Sequence, residues 1–133
     1  MAEQTIIDND YATLWYHPET KIIHHRIKKY TSGRQLQDLL NAGSEQLRKN
    51  GAKKWLSNDI NNNALTSKDA EWTSTVWLPN TAKAGWKYWA LVQPEKITGQ
   101  MNMKKHADFT SALGVVVKVF NNSDEAMKWL EKQ

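Results

Sequence analysis

A chain of 133 residues with 40% hydrophobic and 24% charged residues, six Gly and three Pro has the composition of one packed domain, neither disordered nor fibrous. The absence of Cys excludes disulfides, thiolate nucleophiles and sulfur-ligated metal sites. The net charge of +4 comes from 18 basic and 14 acidic residues interleaved along the chain, which favours solubility and argues against the continuous basic face that nucleic-acid binding requires.

The opening MAEQTIIDND lacks a basic segment followed by an apolar one, and no later stretch reaches the roughly 18 apolar residues of a membrane span; the expectation is a cytoplasmic chain with no stable membrane insertion. About the first eight residues are expected to be disordered. Residues 11–16 (YATLWY) and 21–27 (KIIHHRI) are β-branched and aromatic runs around His17-Pro18-Glu19-Thr20, where Pro pre-sets a turn, and they predict a β-hairpin. Leu36, Leu39, Leu40 and Leu47 follow at helical spacing up to the stop signal Asn50-Gly51. Residues 53–58 (KKWLSN) predict a buried strand, and Asp59 with Asn61-Asn62-Asn63 a loop.

Ser67 predicts the N-cap of a second helix, with Asp69 and Glu71 in its first turn and Trp72, Val76 and Trp77 on its apolar side. Pro79 cannot donate a backbone bond, so it must kink that helix or open a new one before Gly85 ends it. Residues 86–92 (WKYWALV) and 115–120 (VVVKVF) predict strands covered on both faces. Between them, residues 102–113 predict a helix with Phe109 and Leu113 facing inward and Gly114 as terminator. Ser123-Asp124-Glu125 opens a last helix that turns Ala126, Met127 and Leu130 inward. The sum is an α/β fold in a single domain over residues 1–133. Its N-terminal β-hairpin leads into β-α repeats, giving a small mixed sheet of about five strands, parallel with one antiparallel edge, and about four helices.

Signatures of catalysis are missing. The glycines are scattered and form no phosphate loop, no Gly-x-Ser-x-Gly elbow follows a strand, and no carboxylate pair stands out, so the reading is a non-enzyme without a cofactor. His24 and His25 are adjacent on a strand and point to opposite faces, while His17 and His106 lack a partner at helical ligand spacing; no metal site follows. Ser67, beside Thr66, is the candidate phosphorylation position, because a phosphate there would sit favourably on the helix dipole. Lys104 and Lys105, with His106, fall in the first turn of the third predicted helix and are a candidate anion site. Seven Trp are read mainly as core, but Trp72 and Trp77 are five apart on a helix, so that one of them is expected to line a groove or a dimer contact.

The segments Lys53-Lys54-Trp55-Leu56-Ser57-Asn58-Asp59, Glu71-Trp72, Trp77-Leu78-Pro79 and Tyr88 through Lys96 resemble the bacterial SpoIIAA-like proteins of the STAS superfamily. The likeness continues through Gly99-Gln100-Met101 and Val117-Lys118-Val119-Phe120 to Glu125-Ala126-Met127-Lys128-Trp129-Leu130, nearly the whole chain. It implies a small mixed sheet flanked by helices and a role in protein interaction, since relatives include anti-sigma-factor antagonists that bind a kinase and are switched by phosphorylating a serine in an Asp-Ser-Ser-Gly-type motif. Residues 59–68 depart from that motif, so the switch does not carry over to Ser67. A likeness in topology to CRAL-TRIO domains implies instead an apolar ligand between helix and sheet.

Two functions are therefore expected. The first is a non-catalytic bacterial regulatory module, possessing a protein partner or forming a homodimer, with contacts around Asn58, Asp59, Ser67, Trp72 and Trp77. The alternative is a carrier or sensor of a small apolar or lipid-like ligand under the second helix, near Trp72, Val76 and Trp77, in an apolar pocket of a few hundred Å³.

Overall fold

The computed structural model describes residues 3–133. Strands β1 (Gln4–Asp8), β2 (Ala12–His17) and β3 (Ile22–Ile27) form an antiparallel meander. Strands β4 (Lys54–Asn58), β5 (Tyr88–Val92) and β6 (Val116–Phe120) then add in parallel, so that the six strands lie side by side in chain order. The α/β class and the mixed sheet match the expectation. Pairing alternation places Leu14, Tyr16, Ile23, His25, Trp55, Ser57, Trp89 and Leu91 on one face, and Trp15, His17, Ile22, His24, Leu56, Ala90 and Val92 on the other.

Helix α1 (Gly33–Asn50), the unit made of α2 (Ser67–Trp72), a π-turn (Thr73–Trp77) and α3 (Leu78–Lys83), and α4 (Ile97–Ala112) are the three crossovers. Right-handed crossovers that always step the same way across a sheet must all lie on one face. Leu36, Leu39, Leu40, Leu47, Trp77, Leu78 and Met103 accordingly bury against Ile23, Trp55, Trp89 and Leu91. Among the described residues only α5 (Ser123–Glu131) is a helix on the other face, where Ala126 and Leu130 pack on Ile22, Leu56, Ala90 and Val92. No helix among the described residues is long and apolar enough to cross a membrane.

The main core is built on Trp55, Trp77, Trp86 and Trp89, whose ring centroids lie 4.6–6.1 Å apart in tilted and edge-on arrangements. Helix α1 approaches this cluster closely because Gly43 has no side chain: a Cβ there would stand 2.6 Å from Cζ2 of Trp55 and closer still to Cη2. Gly43→Ala is therefore expected to destabilise by roughly 1–3 kcal/mol through overpacking, although Ala normally gains about 1 kcal/mol over Gly inside a helix. Urea unfolding checks the sign, and a raised midpoint would mean that the indole has room to retreat.

Several expectations are corrected. Gln4–Asp8, expected to be disordered, is the edge strand β1, paired with β2; its weak period-2 pattern is broken by a bulge between Thr5 and Ile7. β6, expected to be covered on both faces, is the opposite edge strand, with Val116 and Val119 at 52% and 43% exposure. A Val-rich run satisfies strand propensity whether or not it is buried, and sequential addition leaves the last strand at the rim. Helix α4 begins five residues earlier than predicted, and it turns Gly99, Met103, His106, Ala107 and Thr110 inward while Phe109 and Leu113 are exposed.

The N-caps also shift by one. Thr66 Oγ1, not Ser67, accepts the N–H of Asp69 at 3.1 Å, and Asn122 Oδ1, not Ser123, accepts from Asp124 and Glu125. Asp69, expected to complement the dipole of its own helix, is buried and accepts the N–H of Gly33 at 2.9 Å, tying α2 to the start of α1. The problem at Pro79 is resolved by the π-turn: the N–H of Leu78 reaches back five residues to the Thr73 carbonyl, widening the backbone just ahead of the proline. The extra residue per turn also lets Trp72 lean on the core that buries Trp77, while Val76 faces solvent.

Candidate functional site

A cavity of about 60 Å³, lined mainly by apolar side chains with a few polar groups among them, opens at the carboxyl ends of β3, β4 and β5, beneath the π-turn and α4. Crevices at that end of parallel strands are where open α/β sheets bind ligands. His25, Ser57 and Asp59 line it from the strand ends, Thr73 and Trp77 from the π-turn, and Met103 and His106 from α4. Its outer wall is the Asn-rich loop foreseen after β4. Asn62 Oδ1 accepts from Thr31 N at 3.3 Å, Asn63 Oδ1 accepts from Thr98 Oγ1 at 2.8 Å, and Leu65 N donates to Asn102 Oδ1 at 3.1 Å. Gly99 lets α4 close on this loop, because a Cβ would stand 2.7 Å from Cβ of Pro94 and 3.2 Å from the Asn63 backbone.

The hydrogen bonds fix most of the polar atoms. The Trp55 indole donates to Nδ1 of His25 at 3.1 Å, so the ring hydrogen sits on Nε2 and is donated to Oδ1 of Asp59 at 2.8 Å. Both nitrogens of His25 are thereby engaged, and the ring serves as a brace for the carboxylate. The second carboxylate oxygen of Asp59 has no partner among the described residues. Trp89 donates to Ser57 Oγ at 2.9 Å, and Trp77 to the Leu40 carbonyl at 3.0 Å and Ser44 Oγ at 2.8 Å. Burial pushes His106 below the ordinary histidine value, against the carbonyls of Asn102 and Ala70 and the charge of Asp59.

Thr73 stands apart. Its hydroxyl is buried and has no hydrogen-bond partner among the described residues. Thr75 and Thr110, also helical, turn theirs back onto the carbonyls of Glu71 and His106 at 2.7 and 2.6 Å. An unsatisfied buried hydroxyl lowers stability by about 1–3 kcal/mol, and π-turns recur at functional sites.

Of the residues singled out from sequence, the structure brings Asp59 and Trp77 into this cavity. Asn58, one residue before Asp59, points to the opposite face of the sheet and lines a groove with Trp15 and Arg26. Ser67 is exposed at the first position of α2, and Trp72 is half-buried outside the lining. Lys104 and Lys105 do not occupy a helix start: with α4 beginning at Ile97 they are exposed mid-helix, where the backbone N–H groups are already bonded, and Lys104 pairs with Asp108 at 3.2 Å. The first-turn geometry behind the anion site is therefore absent. Sequence reasoning missed His25, Ser57 and Thr73 as site residues and named His106 only beside the lysines of the anion site. Strand alternation could have found the first two, since His25 and Ser57 share the face of Trp55.

No family model, curated protein or solved structure matches the chain.

Proposed function

We propose that this chain is a non-catalytic regulatory module, SpoIIAA-like in class, that responds to a small ligand held beneath its second helix. The observation that carries the reading is a cavity lined both by Thr73, whose buried hydroxyl has no partner among the described residues, and by Asp59, one of whose carboxylate oxygens has none. The sequence resemblance around residues 53–59 and 88–96 supports the regulatory part. At roughly 10–15 Å³ for each water, the cavity suits a ligand of a few heavy atoms and is smaller than the few hundred Å³ expected for a lipid-like one.

Two outcomes test this. Native mass spectrometry of the protein from its own host is expected to give a small adduct that is lost under denaturing conditions; a bare chain overturns the reading. Thr73→Val is expected to raise the stability of the free protein by about 1 kcal/mol, since it removes an orphaned polar group, and to abolish the adduct. Chemical denaturation measures the first effect, and a loss of stability would mean that the hydroxyl is satisfied in the free protein.

A further inference from the structure

The cavity is selective in charge. Of its lining side chains, Asp59 alone is a carboxylate, and no Lys or Arg contributes. His25 does not offset that charge, because its neutral form with hydrogen on Nε2 meets the Trp55 donor and the Asp59 acceptor together. An anionic ligand would bring a second negative charge against Asp59, whose side chain is only 21% exposed, with no Lys or Arg in the lining to pair it, an unfavourable arrangement. A neutral apolar ligand would leave the Asp59 oxygen and the Thr73 hydroxyl unmatched.

The aromatic wall points the same way. Trp77 and Trp89 both line the cavity, and the N–H of each is spent on protein acceptors, so the rings offer a ligand only carbon and π surface. The faces of such rings, though not their edges, attract cations through the ring quadrupole. An ammonium group has three donors and no acceptor, which suits a carboxylate oxygen and a hydroxyl lone pair.

From this geometry we infer that the ligand is a small organic cation, a primary ammonium of a few heavy atoms, with Asp59 as its counter-ion and Thr73 as a second acceptor. The inference rests on the ligand-binding reading above and names the chemistry of that same site.

The test uses the full chain and three probes of similar size: methylammonium, methanol and formate, at matched ionic strength. Indole N–H resonances of Trp77 and Trp89 report on the cavity in nitrogen-15 NMR. Methylammonium is expected to shift them saturably, with methanol and formate far weaker. Asp59→Asn retains the shape of the side chain and an acceptor for His25, and is expected to weaken methylammonium by about tenfold or more, the scale of a charge-assisted hydrogen bond. Saturable shifts from methanol or formate in preference to methylammonium overturn the cation inference and leave the small-ligand reading standing. Silence from all three probes, with a bare chain in mass spectrometry, overturns both. Unchanged methylammonium affinity in Asp59→Asn also overturns the inference. Should that variant fold poorly, the comparison of probes on the unaltered protein decides alone.

Discussion

Replacing Trp55 by Ala is expected to lower stability by about 4 kcal/mol, a large share of the total for a domain of this size. The side chain is fully buried at the centre of the aromatic cluster, edge-on to Trp77 at 5.1 Å and tilted against Trp86 at 5.9 Å. Its removal leaves a void bounded by α1, where Gly43 has no side chain to move inward. The melting temperature should fall by about 15 °C, several times the change from Trp15→Ala, since Trp15 is only half-buried. Circular dichroism melts compare the two, and equal shifts would mean that the cluster is not the centre of the core. Trp55→Phe separates packing from polarity: it keeps a ring but strips His25 Nδ1 of its donor. His25 can then turn or change tautomer, so that this variant should lose ligand response at Asp59 out of proportion to its loss of stability.

The link from Trp55 through His25 to Asp59 also marks where reading the sequence stopped. Strand runs such as KKWLSN and WKYWALV gave the sheet, because β-branched and aromatic residues in short blocks between turn signals admit few other structures. Asp59 and Trp77 were legible as site residues because one follows a buried strand and the other rides a helix facing it. Helix α4 starts earlier than its pattern suggests because its inward stripe, Gly99, Met103, His106, Ala107 and Thr110, holds one large apolar side chain, Met103, too few to set an apolar period. The role of Thr73 depends on a π-turn, and no helical template at 3.6 residues per turn anticipates which side chains that turn brings inward. Alternation sets His25 and His24 on opposite faces of their strand, but only the pairing of β3 with β4 sets His25 beside Trp55 and Ser57.

Its neighbour His24 leads to the second large effect, a loss of stability in mild acid. His24 lies on the opposite face, with Nδ1 3.1 Å from Nε2 of His17 and its ring 4.6 Å from that of Trp15. Burial pushes it down to about 3 from an ordinary 6.5, and the nearby His17, His25 and Arg26 add to the depression. His17 and His106 are lowered as well, mainly by burial. The unfolded chain thus takes up protons that the folded chain refuses, so stability is fully present above about pH 6.5 and falls as the pH drops from there toward 3. For His24 the slope approaches roughly 1 kcal/mol per pH unit within that window. Urea midpoints at pH 7.5, 6, 5 and 4 should fall progressively, and His24→Gln, which cannot titrate, should flatten the curve by about one proton. An identical slope in His24→Gln would place the acid sensitivity on His17 and His106 instead.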